Sequence, residues 1–148
     1  MEVALKQAIL SKSPLFDNLL RAELTSLAEL FTVRVLREGE VVFHEGDIGD
    51  TMYVIADGGV DILVRGSDGE MELFGELYAP QFFGEMALIE NECRSATIRV
   101  KGDATLLQLT SGHLHSFAEK YRNGFTWVVV NIARVLSARL REANRKAA

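Results

Sequence analysis

Between positions 82 and 97 the chain carries residue types that together could bind a small anion. Gly84 has no side chain, which allows close backbone approach and unusual dihedral angles. The residues from Glu85 to Ile89 are good helix formers and suffice for one short turn. In a helical turn that begins at Gly84, the N–H groups of Glu85 to Leu88 would have no acceptor within the turn and would point beyond its N-terminus. Such free N–H groups can bind an anion placed there.

Arg94 follows Glu85 by nine residues and adds a cation at the start of the next predicted strand. Its planar guanidinium can donate to two phosphate oxygens at once, and the Ser95 hydroxyl is its neighbour in the chain. These residues predict a pocket for a small phosphorylated ligand. A structural loop is the alternative, because glycine before a short helix is a common loop device and Glu85 and Arg94 could pair with each other in a partly buried salt bridge.

The elements that must position these residues are mainly β-strands. Short β-rich runs occupy positions 32–37, 40–44, 51–56, 59–65, 70–78, 94–101 and 104–109. Glycine- and aspartate-rich turn signals separate them, among them Asp57-Gly58-Gly59, Asp68-Gly69 and Lys101-Gly102-Asp103. Many short strands joined by such turns predict an antiparallel jelly roll or β-barrel. The connection over residues 80–93 is long for a compact barrel, and connections of that length are usually functional or disordered.

Helical periodicity flanks the β region on both sides. We predict helices at 2–10, about 17–30, 111–121 and about 125–145, with Asn123-Gly124 as the break between the last two. The last helix carries an apolar stripe of Phe125, Val128, Val129, Ile132, Val135, Leu136 and Leu140. One edge of this wide stripe could pack on the barrel and the other on a partner chain. A stripe that covers only its own barrel is the alternative.

Together these elements predict a single domain of the α+β class, mainly β, over residues 1–148. N-terminal helices would occupy 1–31, and a β-barrel with the candidate binding segment 82–97 would occupy 32–110. The C-terminal helices would occupy 111–146.

Composition excludes several other kinds of protein. The formal charge of −5 argues against general nucleic-acid binding. Cys93 is the single cysteine, so neither an internal disulfide nor a thiolate metal cluster can form. His113 and His115 lie two apart on a predicted helix and would face different sides, so we predict no metal. The N-terminal residues do not resemble a signal peptide, and the longest apolar run is far short of the ~20 residues that span a bilayer. We expect a cytoplasmic protein that does not bind membranes.

The motif F-G-E-x-A-L at 83–88, followed after five residues by R-S-A-T at 94–97, resembles the phosphate-binding cassette of cyclic-nucleotide-binding domains. That family includes catabolite activator protein and the regulatory subunits of protein kinase A. The flanking segments Gly39-Glu40, Phe43 to Asp47, Tyr53 to Ile55 and Gly59-Val60 also resemble its strands and barrel glycines. The similarity covers about residues 15–145.

The resemblance implies roles for individual residues. Arg94 would pair with the cyclic phosphate, and Glu85 would accept a hydrogen bond from the ribose 2′-hydroxyl. Gly84, Ala87 and Leu88 would frame the ribose phosphate, and Ser95 would assist with the phosphate or the base. The implied ligand-contact set in and beside the cassette is Phe83, Gly84, Glu85, Met86, Ala87, Leu88, Arg94, Ser95, Ala96 and Thr97.

The resemblance also places a base-reading residue on the last helix, since activator-type members read adenine from there. Asn144 is the candidate, because its amide could bond an adenine edge. A solvated polar residue near a helix end is the alternative interpretation of Asn144.

The implied function is a regulatory sensor and not an enzyme. We predict cyclic AMP as its ligand, with no other cofactor, and signalling through movement of the last helix. Cyclic GMP, a cyclic dinucleotide, or a non-binding interaction domain of the same fold are the alternatives. A metal-dependent enzyme on a similar jelly roll would need a set of histidine and glutamate ligands on the strands, where His44 is the single histidine. Possible protein partners are a second copy, bound through the C-terminal helix, and an effector of unknown identity.

Overall fold

The computed structural model describes residues 1–90 and 93–147. Asn91 and Glu92, which belong to the predicted cassette, and Ala148 lie outside the described residues. The element order is α1 (Val3–Leu10), an N-terminal 3-10 helix (Pro14–Phe16), α2 (Arg21–Leu30), β1 (Thr32–Leu36), β2 (Val41–Phe43), β3 (Thr51–Arg65), β4 (Met71–Tyr78), β5 (Phe82–Phe83), a second 3-10 helix (Glu85–Leu88), β6 (Thr97–Thr110), α3 (Ser111–Lys120) and α4 (Arg122–Ala147).

The strands form an antiparallel jelly roll, as the turn pattern predicts. The sheet order is β1-β6-β3-β4, while β2 also pairs with β6 and β5 with β3. The long strands β3 and β6 form the centre and pair from Thr51–Thr110 to Leu63–Thr97. Because β5 is held on β3 through Tyr53 and Phe83, the predicted binding segment begins on the central strand.

Two predicted turns are bends within continuous strands. The segments 51–56 and 59–65 form one strand, and β6 runs through Lys101-Gly102-Asp103 without ending. The β3–β6 register shifts at these points. Gly58 has φ +84°, and a Cβ there would lie 2.5 Å from the Asp103 carbonyl oxygen. Glycine therefore lets the two strands bend together while the ladder continues on either side.

Two apolar clusters divide the interior. One joins the helices to an end of the barrel and includes Leu10, Leu27, Phe31, Leu107 and Ile132. The other fills the barrel and includes Tyr53, Ile55, Phe83, Ile98 and Leu106. Phe83, the first residue of the predicted motif, is therefore part of the barrel core.

The break between the last two helices lies at Tyr121 and not at the predicted Asn123-Gly124. Gly124 is a buried residue of α4, and a Cβ there would lie 2.8 Å from Glu23 Oε2. Glu23 Oε1 in turn accepts a hydrogen bond of 2.8 Å from the Leu20 backbone at the start of α2. Gly124 thus allows α4 to approach α2 closely, a tertiary role that local turn propensity does not reveal.

The apolar stripe of α4 covers its own domain as far as Leu136. Val128 and Ile132 are buried, and Phe125, Val135 and Leu136 pack against the same core cluster. Leu140, one turn farther along, is 63% exposed. Asn131 Nδ2 donates to the carbonyls of Leu15 and Asp17 at 3.0 and 2.8 Å. The first half of α4 is therefore fixed to the N-terminal 3-10 helix.

In the described part of the chain, every helix is too short or too polar to cross a bilayer.

Candidate functional site

The cassette helix, Glu85–Leu88, starts from a glycine in the left-handed region, as the sequence predicts. Gly84 has φ 79° and ψ 10°. A Cβ there would lie 3.0 Å from both Arg94 Nη1 and the Thr51 carbonyl oxygen, so both conformation and space favour glycine. The helix is a 3-10 turn in which the Ala87 N–H donates to the Gly84 carbonyl at 3.2 Å. The Ala87 N–H, one of the predicted free donors, is therefore used within the turn.

Arg94 is a buried cation. The residue is 9% exposed, and its guanidinium carbon lies 3.9 Å from the Phe43 ring centroid. Nη2 donates to Thr51 O at 2.7 Å and to Thr51 Oγ1 at 3.0 Å. Burial lowers the pKa of Arg94 below its ordinary value, and the charges of Tyr53 and Asp50 oppose that shift.

One donor of Arg94 lacks a partner among the residues that the structure describes. Nε is buried and makes no hydrogen bond to any residue that the structure describes. A Cβ on Gly49 would lie 2.4 Å from this nitrogen, so the space that Nε occupies exists because position 49 is glycine. Motif reasoning passes over Gly49 and Thr51. They lie beside Arg94 because the segment before β3 pairs with the segment that carries Arg94: Ile48 bridges Cys93, and the Arg94 N–H donates to the Asp47 carbonyl at 2.7 Å.

Glu85 forms an ion pair with Arg139 of α4. Its carboxylate is almost fully buried, and Arg139 Nη1 donates to Glu85 Oε1 at 2.7 Å. The suggested pairing of Glu85 with Arg94 is therefore wrong. Arg94 extends instead toward Phe43 and Thr51, while the guanidinium of Arg139 reaches Glu85 from 54 residues farther along the chain.

These residues line a cavity of about 510 Å³ between the barrel and α4. That volume is in the range of small-molecule sites. Its apolar wall comes from Phe43, Ile62, Leu77, Ile98 and Leu136, and its polar groups include Gln81, Glu85, Arg94, Ser95 and Arg139. The cavity therefore combines an apolar surface with buried charges of both signs.

Eight of the predicted residues meet at this cavity: Phe83, Gly84, Glu85, Met86, Ala87, Arg94, Ser95 and Ala96. The other three do not line it. Leu88 packs on the helical core cluster, and Thr97 Oγ1 accepts a hydrogen bond of 2.9 Å from the Glu45 backbone. Asn144 is exposed and lies five residues, about 7.5 Å of helix, beyond Arg139. The α4 residues at the cavity are Leu136 and Arg139.

The residue set predicted from the sequence includes Asn144 of the last helix but not Arg139. The neighbouring Arg141 is exposed and donates to Ser137 at 2.8 Å. The sequence offers little to distinguish the two arginines, because residues two apart on one helix differ only in the direction they face.

Residues 33–121 match the family model described as the cyclic nucleotide-binding domain. The chain is 32% identical over 135 residues to the cyclic AMP receptor protein of Thermus thermophilus, covering 89% of this chain and 59% of that protein. It is 33% identical over 96 residues to a cAMP-dependent protein kinase regulatory subunit of Blastocladiella emersonii, covering 65% of this chain and 24% of that protein. The chain thus spans less than two thirds of the length of these relatives.

The fold agrees with the match. The crystal structure of the Thermus thermophilus catabolite activator protein superposes with a TM-score of 0.80 at 30% identity, covering 91% of this chain and 62% of that one.

Proposed function

The chain belongs to the cyclic nucleotide-binding domain family, and we propose that it is a cyclic AMP sensor that regulates other proteins and is not itself a catalyst. The observation that carries the proposal is Arg94, a buried cation at the wall of a cavity large enough for a nucleotide, with one donor to which no described residue is hydrogen-bonded. The same wall holds the buried carboxylate of Glu85.

The surroundings of Arg94 support a role in binding the phosphate. Buried charges are costly unless they are paired, and among the described residues no carboxylate lies within ion-pair distance of this guanidinium. A cyclic phosphate would supply the missing negative charge and an acceptor for the guanidinium donors. Ser95 would add a hydroxyl donor at the same wall.

Glu85 would accept the ribose 2′-hydroxyl. Its Oε1 is bound by Arg139, while no described residue donates to Oε2. Met86, Ala87 and the other cavity-lining cassette residues would contact the sugar through their backbone and small side chains. The roles of Leu88, Thr97 and Asn144 would require a rearrangement of the site upon binding.

The apolar wall favours a single nucleobase as the remaining part of the ligand. Ile62 and Leu77 on one side and Leu136 on the other could enclose a purine. The names of the two relatives support cyclic AMP, since one is a cyclic AMP receptor and the other a regulator of a cAMP-dependent kinase. Cyclic GMP and a cyclic dinucleotide are the competing ligands.

Movement of α4 would carry the signal. Leu136 and Arg139 belong both to α4 and to the cavity wall, so a ligand that contacts them differently in two positions of α4 shifts the balance between those positions. The recipient would be a second copy bound through the exposed end of α4 or an effector protein. Light scattering with and without cyclic AMP would decide between these two.

Isothermal titration tests the ligand. The wild-type chain should bind cyclic AMP with a micromolar or lower dissociation constant, about 8 kcal/mol or more, and more tightly than cyclic GMP. Arg94→Met should remove binding. The control is Arg99→Met, which deletes the same charge from a half-exposed side chain that pairs with Asp61 and does not line the cavity; this variant should bind normally. If neither nucleotide binds to the wild-type chain, the domain is an interaction module or serves another ligand.

A further inference from the structure

Gln81 lines the cavity, and the proposed function gives it no role. In that proposal Arg94 and Ser95 bind the phosphate, and Glu85 binds the sugar. The other side chains of the wall that can form strong hydrogen bonds are Gln81 and Arg139, and Arg139 already donates to Glu85. Gln81 is therefore the polar side chain that remains for the base.

The main chain fixes the orientation of the Gln81 amide in the turn between β4 and β5. The Gln81 N–H donates to the Tyr78 carbonyl at 2.7 Å, and the Gln81 carbonyl accepts from the Ile55 N–H at 2.9 Å. The side chain returns to the same turn, where Oε1 accepts from the Tyr78 N–H at 2.9 Å. Because a backbone N–H needs an acceptor and Nε2 carries two hydrogens, the oxygen of the amide must face Tyr78.

The group left for a ligand is thus Nε2, which can only donate. No described residue accepts a hydrogen bond from it. Since Gln81 is exposed and also lines the cavity, its amide lies where the cavity opens to solvent. Its neighbours on the wall are apolar, with Leu77 four residues before it and Phe82 directly after it. Gln81 therefore places a single kind of polar group, a donor, beside the surface proposed to enclose the purine.

We propose that Gln81 is a specificity-determining residue for the base, and that its Nε2 donates to an unprotonated ring nitrogen of adenine. This inference rests on the proposed function, in which the ligand is cyclic AMP. It places base recognition on the β4–β5 turn of the barrel, whereas the sequence predicts it at Asn144 of α4. The cavity wall includes Gln81 and not Asn144. The base would then be recognised without any movement of α4.

The experiment is a thermodynamic cycle between the side chain and the ring nitrogens. Dissociation constants are measured for cyclic AMP and for its 1-deaza, 3-deaza and 7-deaza analogues, in each of which C–H replaces one ring nitrogen. The proteins are the wild type, Gln81→Glu, Gln81→Met and Asn144→Asp. Gln81→Glu keeps an oxygen for the Tyr78 N–H but removes the donor, and Gln81→Met removes the amide without adding a charge.

Asn144→Asp is the matched control. It makes the same change from amide to carboxylate at an exposed residue that does not line the cavity. Thermal unfolding of each protein without ligand establishes that the variants are folded before their affinities are compared.

The decisive quantity is the ratio of the dissociation constants of each analogue and cyclic AMP. The wild type should bind one of the three analogues about fivefold more weakly than cyclic AMP, as expected for the loss of one neutral hydrogen bond. In both Gln81 variants this ratio should fall to within about twofold, while Asn144→Asp keeps the wild-type ratio. The charge that Gln81→Glu adds repels the phosphate of all four ligands alike, so it cancels in the ratio.

The outcomes separate this inference from the function on which it rests. If the three ratios are the same in the wild type and the Gln81 variants, or change only in Asn144→Asp, Gln81 merely stabilises its turn. The inference is then wrong, and the sensor function stands. If the wild type binds none of the four ligands, the proposed function itself fails and the inference fails with it.

Discussion

Replacing Arg94 by methionine should separate ligand binding from folding. Arg94 is 9% exposed and lacks an ion-pair partner among the described residues. Methionine fills much of the same volume without a charge. We therefore expect Arg94→Met to remove the response to cyclic AMP while the unfolding free energy without ligand changes by no more than about 1 kcal/mol.

The small net change is the sum of opposing contributions. Taking a guanidinium out of water costs several kcal/mol even after relaxation, ~3–5 as a working figure. Against this stand the bonds to Thr51 at 2.7 and 3.0 Å, worth about 1.5–3 kcal/mol together as one shared donor group. The contact with the Phe43 ring at 3.9 Å adds about 1–2 kcal/mol for a desolvated cation. These contributions nearly cancel, which is expected if the residue is kept for binding rather than for stability.

Calorimetric melting with and without ligand measures both quantities. For a domain of this size a change of 1 kcal/mol moves Tm by roughly 3–4 °C. Cyclic AMP at 100 times its dissociation constant should stabilise the wild type by about 2.7 kcal/mol, which corresponds to roughly 8–11 °C. Arg94→Met should melt within about 4 °C of the unliganded wild type and show no shift with ligand.

Two results would refute this reasoning. A loss of more than about 3 kcal/mol without ligand would mean that Arg94 is mainly a structural residue whose bonds to Thr51 exceed its desolvation cost. A ligand-induced shift that survives in Arg94→Met would mean that the phosphate, or another ligand group, binds elsewhere.

Three further predictions test the surrounding structure. Gly84→Ala should lower the unfolding free energy by about 1–2 kcal/mol and weaken cyclic AMP binding. The residue has φ +79°, and a Cβ there would lie 3.0 Å from both Arg94 Nη1 and the Thr51 carbonyl oxygen. An unchanged urea denaturation curve would contradict this prediction. Gly124→Ala should destabilise the domain by about 1–2 kcal/mol because its Cβ would lie 2.8 Å from a buried carboxylate. Gly112→Ala in α3, whose Cβ would lie 3.8 Å from the Thr110 hydroxyl, should instead gain up to about 0.5–1 kcal/mol, and equal effects of the two substitutions would show that the close approach is unimportant. Hydrogen bonds from Lys101 and, to a smaller extent, Tyr78 lower the pKa of Glu76 below 4.5 in the folded state. The ionised Glu76 therefore stabilises the fold above pH 4.5, and this contribution is lost as the pH falls through the lower pKa of the folded state. Glu76→Gln should reduce the loss of unfolding free energy over that acidic range, and an unchanged dependence on pH would assign the loss to other carboxylates.

Local features of the fold and site were predictable from the sequence because their causes are local. The alternation of strands and glycine turns predicted an antiparallel jelly roll, and the motif placed eight residues, in the two runs 83–87 and 94–96, on one cavity. Bends at Gly58 and Gly102 were mistaken for strand ends, since the same left-handed glycines serve turns and bulges alike. Whether a ladder continues past a glycine depends on its partner strand, which local sequence does not describe.

The amino-acid sequence by itself determined the family, the jelly roll and the cassette that carries Glu85 and Arg94. Only the tertiary structure decided which charges meet. Arg139 is 54 residues from Glu85, and its selection over Arg141 depends on the rotation of α4 against the barrel. Arg94 lies between Phe43 and Gly49 because the β2 and β3 regions converge there. A buried charge pairs with whatever folding brings within about 3 Å, and that distance is a property of packing rather than of position in the chain.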